Sequence, residues 1–319
     1  MFARDWVSYR NGNYTVFLNV KDGTKIRYNK LDTMEASFPE SIDVNITDKC
    51  TGSNCPYCYR GCTPKGKHAE ILNSNFFHML HPYTEIALGG GNVLEHPDLD
   101  DFLWECKKLN LIPSMTLNQK HFEDDFDRVK RFVDDKLVYG VGVSVISVTD
   151  KLLDKLHKIP NAVVHTIVGI TPSITFQALK DKGIKVLVLG YKESGRGIGY
   201  LEDNMESIEG KMDWLKFNID SIIKDKWFTV VSFDNLALKQ LSIKEHVSED
   251  MWDSFYMGDD GVDGELTSAS MYVDLVGKTF ARNSFSDIKH NMNGIEDPNE
   301  MFSILKGSKN ARTEMQEVR

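Results

Sequence analysis

Residues 41–62 read SIDVNITDKCTGSNCPYCYRGC, and this stretch sets the plan of the chain. The β-branched run at 42–47 predicts a buried strand, because short apolar runs bounded by turn residues are typical of parallel sheets. A loop that contains Cys50, Cys55, Cys58 and Cys62 follows at once. From this point short apolar runs alternate with longer charged stretches of helical periodicity. Strands that alternate with helices predict βαβ units and a parallel sheet.

The repeating pattern predicts six strands separated by helices. The strands are expected at 42–47, 85–88, 114–118, 139–145, 163–168 and 186–190. Helices between them are expected at 69–80, 99–109, 122–132, 150–157 and 174–182. We therefore expect an α/β fold, a parallel (β/α)6-type partial TIM barrel over residues 41–233, with its ligand site at the carboxyl ends of the strands.

Two further segments flank the predicted barrel. Residues 1–40 are expected to form an N-terminal β-hairpin around the turn Lys21-Asp22-Gly23, and residues 234–319 a C-terminal α+β extension that caps the barrel. The elements expected outside the six βα units are strands at 14–20, 24–28 and 227–233, a glycine-rich loop at 193–199, a helix at 211–224, a hairpin at 270–275 and 278–282, and a charged C-terminal helix.

Composition excludes several classes of protein. The chain has 319 residues, 41% of them hydrophobic, which is enough apolar material for a large core and excludes disorder. Its net charge of −9 disfavours an extended nucleic acid as partner, because phosphate backbones require clustered Lys and Arg. Five cysteines, an odd number, without a secretory start predict a reducing, cytoplasmic location and no disulfide framework. No apolar run approaches the ~20 residues that span a bilayer, so no membrane partner is expected.

The cysteines suggest a site for a soft metal. Cys50, Cys55 and Cys58 follow the first barrel strand, so their thiols are expected at its carboxyl end, where they suit iron–sulfur or zinc chemistry. Three thiols leave one iron of a four-iron cluster open to another ligand. Cys62 could supply a fourth thiol, which leaves a non-enzymatic α/β protein with a structural zinc or closed iron–sulfur site as the alternative.

The cysteine spacing resembles the signature of the radical S-adenosylmethionine (SAM) superfamily. That signature has three cysteines with an aromatic residue before the last, the place that Tyr57 takes here; this chain has one extra residue in the first gap, giving CX4CX2C. Residues 85–99, EIALGGGNVLEHPDL, resemble the superfamily's Gly-Gly-Glu-Pro segment and the turn after it. Asn92 and Val93 stand where Glu and Pro are usual. Cys62 is read as a small apolar bystander.

The resemblance implies roles for several residues. Cys50, Cys55 and Cys58 would hold a [4Fe–4S] cluster, while the backbone of Gly89, Gly90 and Gly91 would approach the amino group of SAM. Tyr57, Asn118 and Ser144 are the remaining cofactor-binding candidates, since Asn118 and Ser144 end the third and fourth strands. No catalytic residue is assigned.

Other polar residues at strand ends have simpler readings. His165 could face the pocket, but a lone histidine in an apolar strand is more often a satisfied core residue. Tyr191, Lys192 and Arg196 could hold a carboxylate, and exposed loop charge is the plainer alternative.

The resemblance also implies a reaction. A flavodoxin- or ferredoxin-like reductant would supply one electron, SAM would be cleaved to methionine and a 5′-deoxyadenosyl radical, and the radical would abstract hydrogen from the substrate. A peptide or protein substrate is favoured, with a nucleotide or small metabolite open. Because no cysteine follows Cys106, a conventional auxiliary cluster in the C-terminal extension is excluded.

Overall fold

A central sheet organises the chain, and helices cover its outer face. The computed structural model describes residues 5–30, 33–52, 54–255 and 263–307. The strands are β1 (Trp6–Asn11), β2 (Tyr14–Asn19), β3 (Lys25–Tyr28), β4 (Ser41–Thr47), β5 (Glu85–Gly90), β6 (Ile112–Asn118), β7 (Gly140–Ser144), β8 (Ala162–Ile167), β9 (Lys185–Leu189), β10 (Val230–Phe233), β11 (Ser270–Asp274), β12 (Thr279–Ala281) and β13 (His290–Asn291). The α-helices are α1 (Asn75–His78), α2 (Leu99–Lys108), α3 (Gln119–Asp124), α4 (Phe126–Asp134), α5 (Asp150–His157), α6 (Ser173–Leu179), α7 (Gly197–Lys224), α8 (Asn235–Gln240), α9 (Glu249–Phe255) and α10 (Pro298–Leu305).

The sheet is mostly parallel, as the sequence predicts. Its order is β10-β9-β8-β7-β6-β5-β4-β11-β12-β13, and the strands from β4 to β10 each pair in parallel with the next. All six predicted strands are present as neighbours, and β10 continues the series. Since β10 and β13 lie at opposite edges, the sheet does not close into a barrel within the described residues.

Alternation along the strands separates a packed outer face from an open inner face. In β6, Met115 and Leu117 are buried in the core formed with the helices, whereas Thr116 and Asn118 point to the other side and are only half-buried. On β4 the inner-face residue Asp43 is exposed although its strand lies inside the sheet. The inner face is therefore accessible to solvent around Asp43 and along β6, as a ligand-binding surface requires, whereas His165 on the same face is buried.

The N-terminal segment forms a three-stranded antiparallel sheet, one strand more than the predicted hairpin. The additional strand β1 pairs with β2 along its whole length, from Trp6 opposite Asn19 to Asn11 opposite Tyr14. The Glu40 carboxylate, buried just before β4, pairs with Arg27 at 2.8 Å and accepts a hydrogen bond from the Tyr14 hydroxyl. This small sheet thus lies against the amino ends of the parallel strands, opposite the expected ligand site.

Three helix predictions need correction. The helix expected at 69–80 is only α1, because the preceding residues pair with the chain around the cysteine loop: the Ala69 amide donates to the Ile46 carbonyl at 2.9 Å. The helix expected at 122–132 is split into α3 and α4 at Asp125, whose φ of −113° and ψ of 26° are not helical. The helix expected at 211–224 begins already at Gly197 and passes through a kink at Asn204.

The C-terminal extension belongs to the same sheet. Its strand β11 pairs in parallel with β4, with Ser270 opposite Ser41 and Asp274 opposite Asn45, and the predicted hairpin continues into β12. The strand β4, which leads into the cysteine loop, is therefore flanked by β5 on one side and by the extension on the other. No helix among the described residues is long and apolar enough to cross a membrane.

Candidate metal and cofactor site

The cysteine loop is closed at its base by backbone hydrogen bonds. It leaves β4 after Thr47 and returns so that the Cys50 amide donates to the Thr63 carbonyl at 2.9 Å and the Thr63 amide donates to the Asp48 carbonyl at 3.2 Å. Inside the loop the Cys58 amide donates to the Cys55 carbonyl at 3.2 Å, which forms a turn between these two cysteines. The chain therefore holds the cysteines in one compact loop at the carboxyl end of β4.

The thiols of the loop influence one another. Burial raises the pKa of the Cys50 thiol to about 11, and the neighbouring Cys55 and Cys58 thiols contribute in the same direction. Cys62 is buried, and its thiol forms a hydrogen bond with the Cys58 sulfur that lowers the pKa of Cys58 and raises that of Cys62. Cys50, Cys55 and Cys58 are partly accessible and, like Cys62, not in a disulfide.

The donor set fits a soft metal cluster by its chemistry. Three accessible thiols on one loop, within electrostatic reach of each other, are the ligands that iron–sulfur clusters take. No group of three or more His, Cys, Asp or Glu side chains in the described part of the chain is already disposed to hold a metal ion. The three sulfurs would therefore have to converge further around a cluster.

The three glycines at the end of β5 differ in their surroundings. Gly90 has a φ of +117°, and a Cβ there would lie 1.9 Å from Asn45 Oδ1 and 2.2 Å from the Thr47 carbonyl oxygen. A Cβ at Gly91 would lie 2.1 Å from the Lys49 carbonyl oxygen, but one at Gly89 would meet nothing within 4 Å. Gly90 and Gly91 thus let β5 pack against the entry to the cysteine loop, and Gly89 faces open space.

Two predicted residues end the next strands beside the cysteines. Asn118 caps α3 by accepting a hydrogen bond from the Lys120 amide at 2.9 Å, and its Nδ2 lies 3.6 Å from the Cys55 sulfur. Ser144 pairs with Asn118 across the sheet, one strand further from the cysteines. The cysteines, the glycine segment and Asn118 therefore lie together at the carboxyl ends of β4, β5 and β6.

The third predicted residue, Tyr57, faces α7, the helix between β9 and β10. Its ring lies edge-on to that of Tyr200 on α7, with 5.7 Å between ring centroids. Burial, followed by the nearby Cys55 thiol, raises the pKa of its hydroxyl to about 12. Tyr57 packs the cysteine loop against α7.

Glu95 and His121 also hold the cysteine loop, although no sequence pattern predicts this. Glu95 Oε1 accepts a hydrogen bond from the Thr51 amide at 2.7 Å, and His121 Nε2 donates to the Thr51 carbonyl at 2.8 Å. Burial opposes ionisation of Glu95, but the hydrogen bonds from Thr51 outweigh it and lower its pKa. Because both contacts are made to backbone atoms of Thr51, no pattern of residue types in the sequence predicts them.

Arg196, Lys192 and Tyr191 bind protein groups, so the plainer reading of them as exposed loop residues was wrong. Arg196 Nε donates to the Cys55 carbonyl and its Nη1 to the Cys62 carbonyl, each at 3.0 Å. Lys192 Nζ bonds the Ser284 hydroxyl at 2.7 Å. The buried Tyr191 hydroxyl donates to the Gly197 carbonyl at 2.6 Å. The loop after β9 is thus part of the scaffold of the cysteine loop.

Arg60 connects the cysteine loop with the C-terminal extension. Its Nη1 donates to Asp274 Oδ2 and to the Tyr272 hydroxyl, both at 2.8 Å, and its Nη2 donates to Asp48 Oδ1 at 2.7 Å. Asn45 joins the same network through a 2.7 Å hydrogen bond from its Nδ2 to Asp274 Oδ1. The extension therefore supplies two polar side chains, those of Tyr272 and Asp274, that bind the cysteine loop through Arg60.

His165 is buried on the inner face, but it is not the satisfied core residue that the sequence suggests. Its Nδ1 has no hydrogen-bond partner among the described residues. The ring packs so closely on β7 that a Cβ at Gly142 would lie 2.2 Å from Cε1. Because burial lowers its pKa to about 4, His165 is neutral at physiological pH.

Known structures share this fold. SuiB from Streptococcus suis bound to its precursor peptide SuiA matches with a TM-score of 0.61 and 10% identity over 97% of this chain and 90% of that one. SuiB bound to S-adenosylmethionine matches with a TM-score of 0.60 and 11% identity over 96% and 89%. No family model and no curated protein matches the sequence. The likeness shows a common architecture along nearly the whole chain.

Proposed function

We propose that this chain is a radical SAM enzyme that binds one [4Fe–4S] cluster through Cys50, Cys55 and Cys58. The observation that carries the proposal is the meeting of three thiols that form no disulfide, the glycine segment and Asn118 at the carboxyl end of the parallel strands. Ligands of parallel α/β folds bind at this end. The fold shared with SuiB, which has been solved with S-adenosylmethionine, supports the same assignment.

Each part of the site has a task in this function. When bound, the reduced cluster supplies the electron that cleaves SAM to methionine and a 5′-deoxyadenosyl radical, which takes hydrogen from the substrate. The thiolates of the three cysteines hold the iron. Gly89 leaves room for the amino group of SAM near the backbone of β5, and Asn118 and Ser144 offer polar groups to its ribose and carboxylate.

A peptide is the substrate that we propose. SuiB has been solved with its precursor peptide, and the inner face of the present sheet is open, with Asp43 exposed inside it. Residues 41–233 would form the catalytic domain. Residues 1–40 would be an N-terminal extension at the amino ends of its strands, and residues 234–319 a C-terminal extension that caps the substrate site. A flavodoxin- or ferredoxin-like protein would supply the electron, and the odd number of cysteines is consistent with the reducing cytoplasm that we propose as the location.

Anaerobic reconstitution tests the cofactor assignment. We expect about four iron and four sulfide per chain, and 5′-deoxyadenosine on addition of dithionite and SAM. Cys58→Ala should lose the iron, whereas Cys106→Ala, which alters a buried cysteine of α2 outside the loop, should keep it. One zinc per chain without SAM cleavage would contradict the proposal and support a structural site that includes Cys62.

A further inference from the structure

The loop between β9 and α7 approaches the cysteine loop unusually closely. Gly195 has a φ of +54°, and a Cβ there would lie 2.4 Å from the Tyr59 carbonyl oxygen and 2.9 Å from that of Cys58. The Ser194 hydroxyl donates to the Tyr59 carbonyl at 3.2 Å. Only a glycine permits this approach, so the sequence at 194–196 is adapted to touch the cysteine loop.

Arg196 makes most of the contact. Its backbone amide donates to the Cys58 carbonyl at 3.0 Å, in addition to the two bonds from its side chain to the Cys55 and Cys62 carbonyls. One residue therefore spans both ends of the segment 55–62 and its middle. The guanidinium is planar, so two bonds from its Nε and Nη1 fix the separation of the carbonyls that they join.

The position of the charge is the second observation. The guanidinium is half-buried and has no ion pair with a carboxylate among the described residues, so its charge is directed at the cysteine loop. A cluster held by thiolates is an anionic group in this partly desolvated place. Nearby positive charge and hydrogen bonds raise the reduction potential of such clusters, because they favour the electron-rich state.

We propose that Arg196 is a positioning residue that fixes the shape of the cysteine loop and makes the bound cluster easier to reduce. This inference rests on the proposed function. It concerns the bonds from Nε and Nη1 to the loop carbonyls, and not the binding of a substrate carboxylate. The two parts of the role are separable, since lysine keeps the charge but lacks the planar fork.

The test uses the full chain, reconstituted anaerobically as wild type, Arg196→Gln and Arg196→Lys. Arg131→Gln, which removes an exposed arginine paired with Asp100, is the matched control. Two quantities are measured: the rate of iron release to a chelator, and the midpoint potential of the fully loaded cluster in a redox titration followed by electron paramagnetic resonance.

We expect Arg196→Gln to release iron about tenfold faster, and its equilibrium constant for reduction to fall about tenfold, which is ~59 mV for one electron. Arg196→Lys should release iron faster but keep most of the potential, and Arg131→Gln should match wild type in both. A loaded Arg196→Gln protein with the wild-type potential would overturn the inference, even with faster iron release. If Arg196→Gln does not fold, a wild-type release rate in Arg196→Lys would also overturn it. A wild-type chain that binds no iron would instead refute the proposed function.

Discussion

Gly90→Ala tests how the glycine segment supports the cysteine loop. The added methyl group meets a strained backbone, with φ at +117°, which costs about 1–3 kcal/mol. It also overlaps Asn45 Oδ1 at 1.9 Å and the Thr47 carbonyl oxygen at 2.2 Å, and such overpacking costs another ~1–3 kcal/mol. We expect the free energy of unfolding of the apoprotein to fall by about 4 kcal/mol, and its thermal midpoint by roughly 6 °C.

Gly89→Ala is the matched control, one residue earlier in the same strand. Its Cβ would meet nothing within 4 Å, so we expect a change in stability within about 0.5 kcal/mol. Both variants are compared by thermal unfolding, by iron content and by the affinity for SAM. Gly90→Ala should lose stability and iron, whereas Gly89→Ala should lose only affinity for SAM. Equal stability of the two variants would refute the packing argument, and wild-type SAM affinity in Gly89→Ala would refute the ligand position.

Three further outcomes are expected. His165 has a pKa of about 4 in the folded chain and the ordinary 6.5 when unfolded, so between these values the unfolded state binds a proton that the folded state does not. The free energy of unfolding should therefore fall by up to about 3 kcal/mol as the pH drops from 6.5 towards 4, and His165→Gln should flatten the pH profile of denaturation over this window. Cys62→Ala should keep the wild-type iron content, since its thiol bonds the Cys58 sulfur without being a proposed ligand; iron loss equal to that of Cys58→Ala would make Cys62 a fourth ligand. Glu40→Gln should lower stability by about 3 kcal/mol in urea titrations, because it removes the buried carboxylate that pairs with the partly buried Arg27; an unchanged midpoint would show that the pair is dispensable.

Local patterns account for what the sequence predicted well. The six strands follow from short β-branched runs, and the proposed ligands follow from Cys50, Cys55 and Cys58 directly after the first of them. Because the strands are parallel, the glycine segment of β5 and Asn118 of β6 must lie at the same end of the sheet, and no side-chain contact has to be known to predict this. Chain order in a parallel sheet is sufficient for this part of the site.

Contacts between distant segments account for what the sequence did not reveal. Arg196 bonds the Cys55 carbonyl across 141 residues, and Arg60 pairs with Asp274 across 214. Both contacts depend on which loops face each other in the finished fold, and an arginine in a loop looks the same with or without them. The prediction of a helix at 69–80 was wrong for a related reason, since the backbone around Ala69 forms hydrogen bonds that close the cysteine loop.

The pairing of β11 with β4 also determines when the site becomes complete during synthesis. The strand that leads into the cysteine loop has a bare edge until residues 270–274 have left the ribosome, because its neighbour on that side comes from the C-terminal extension. An unpaired strand edge favours association with other chains. Pairing between strands that are so far apart in the sequence also forms slowly. A chain that stops at residue 233 would therefore keep every proposed ligand and still expose an unpaired strand edge next to them.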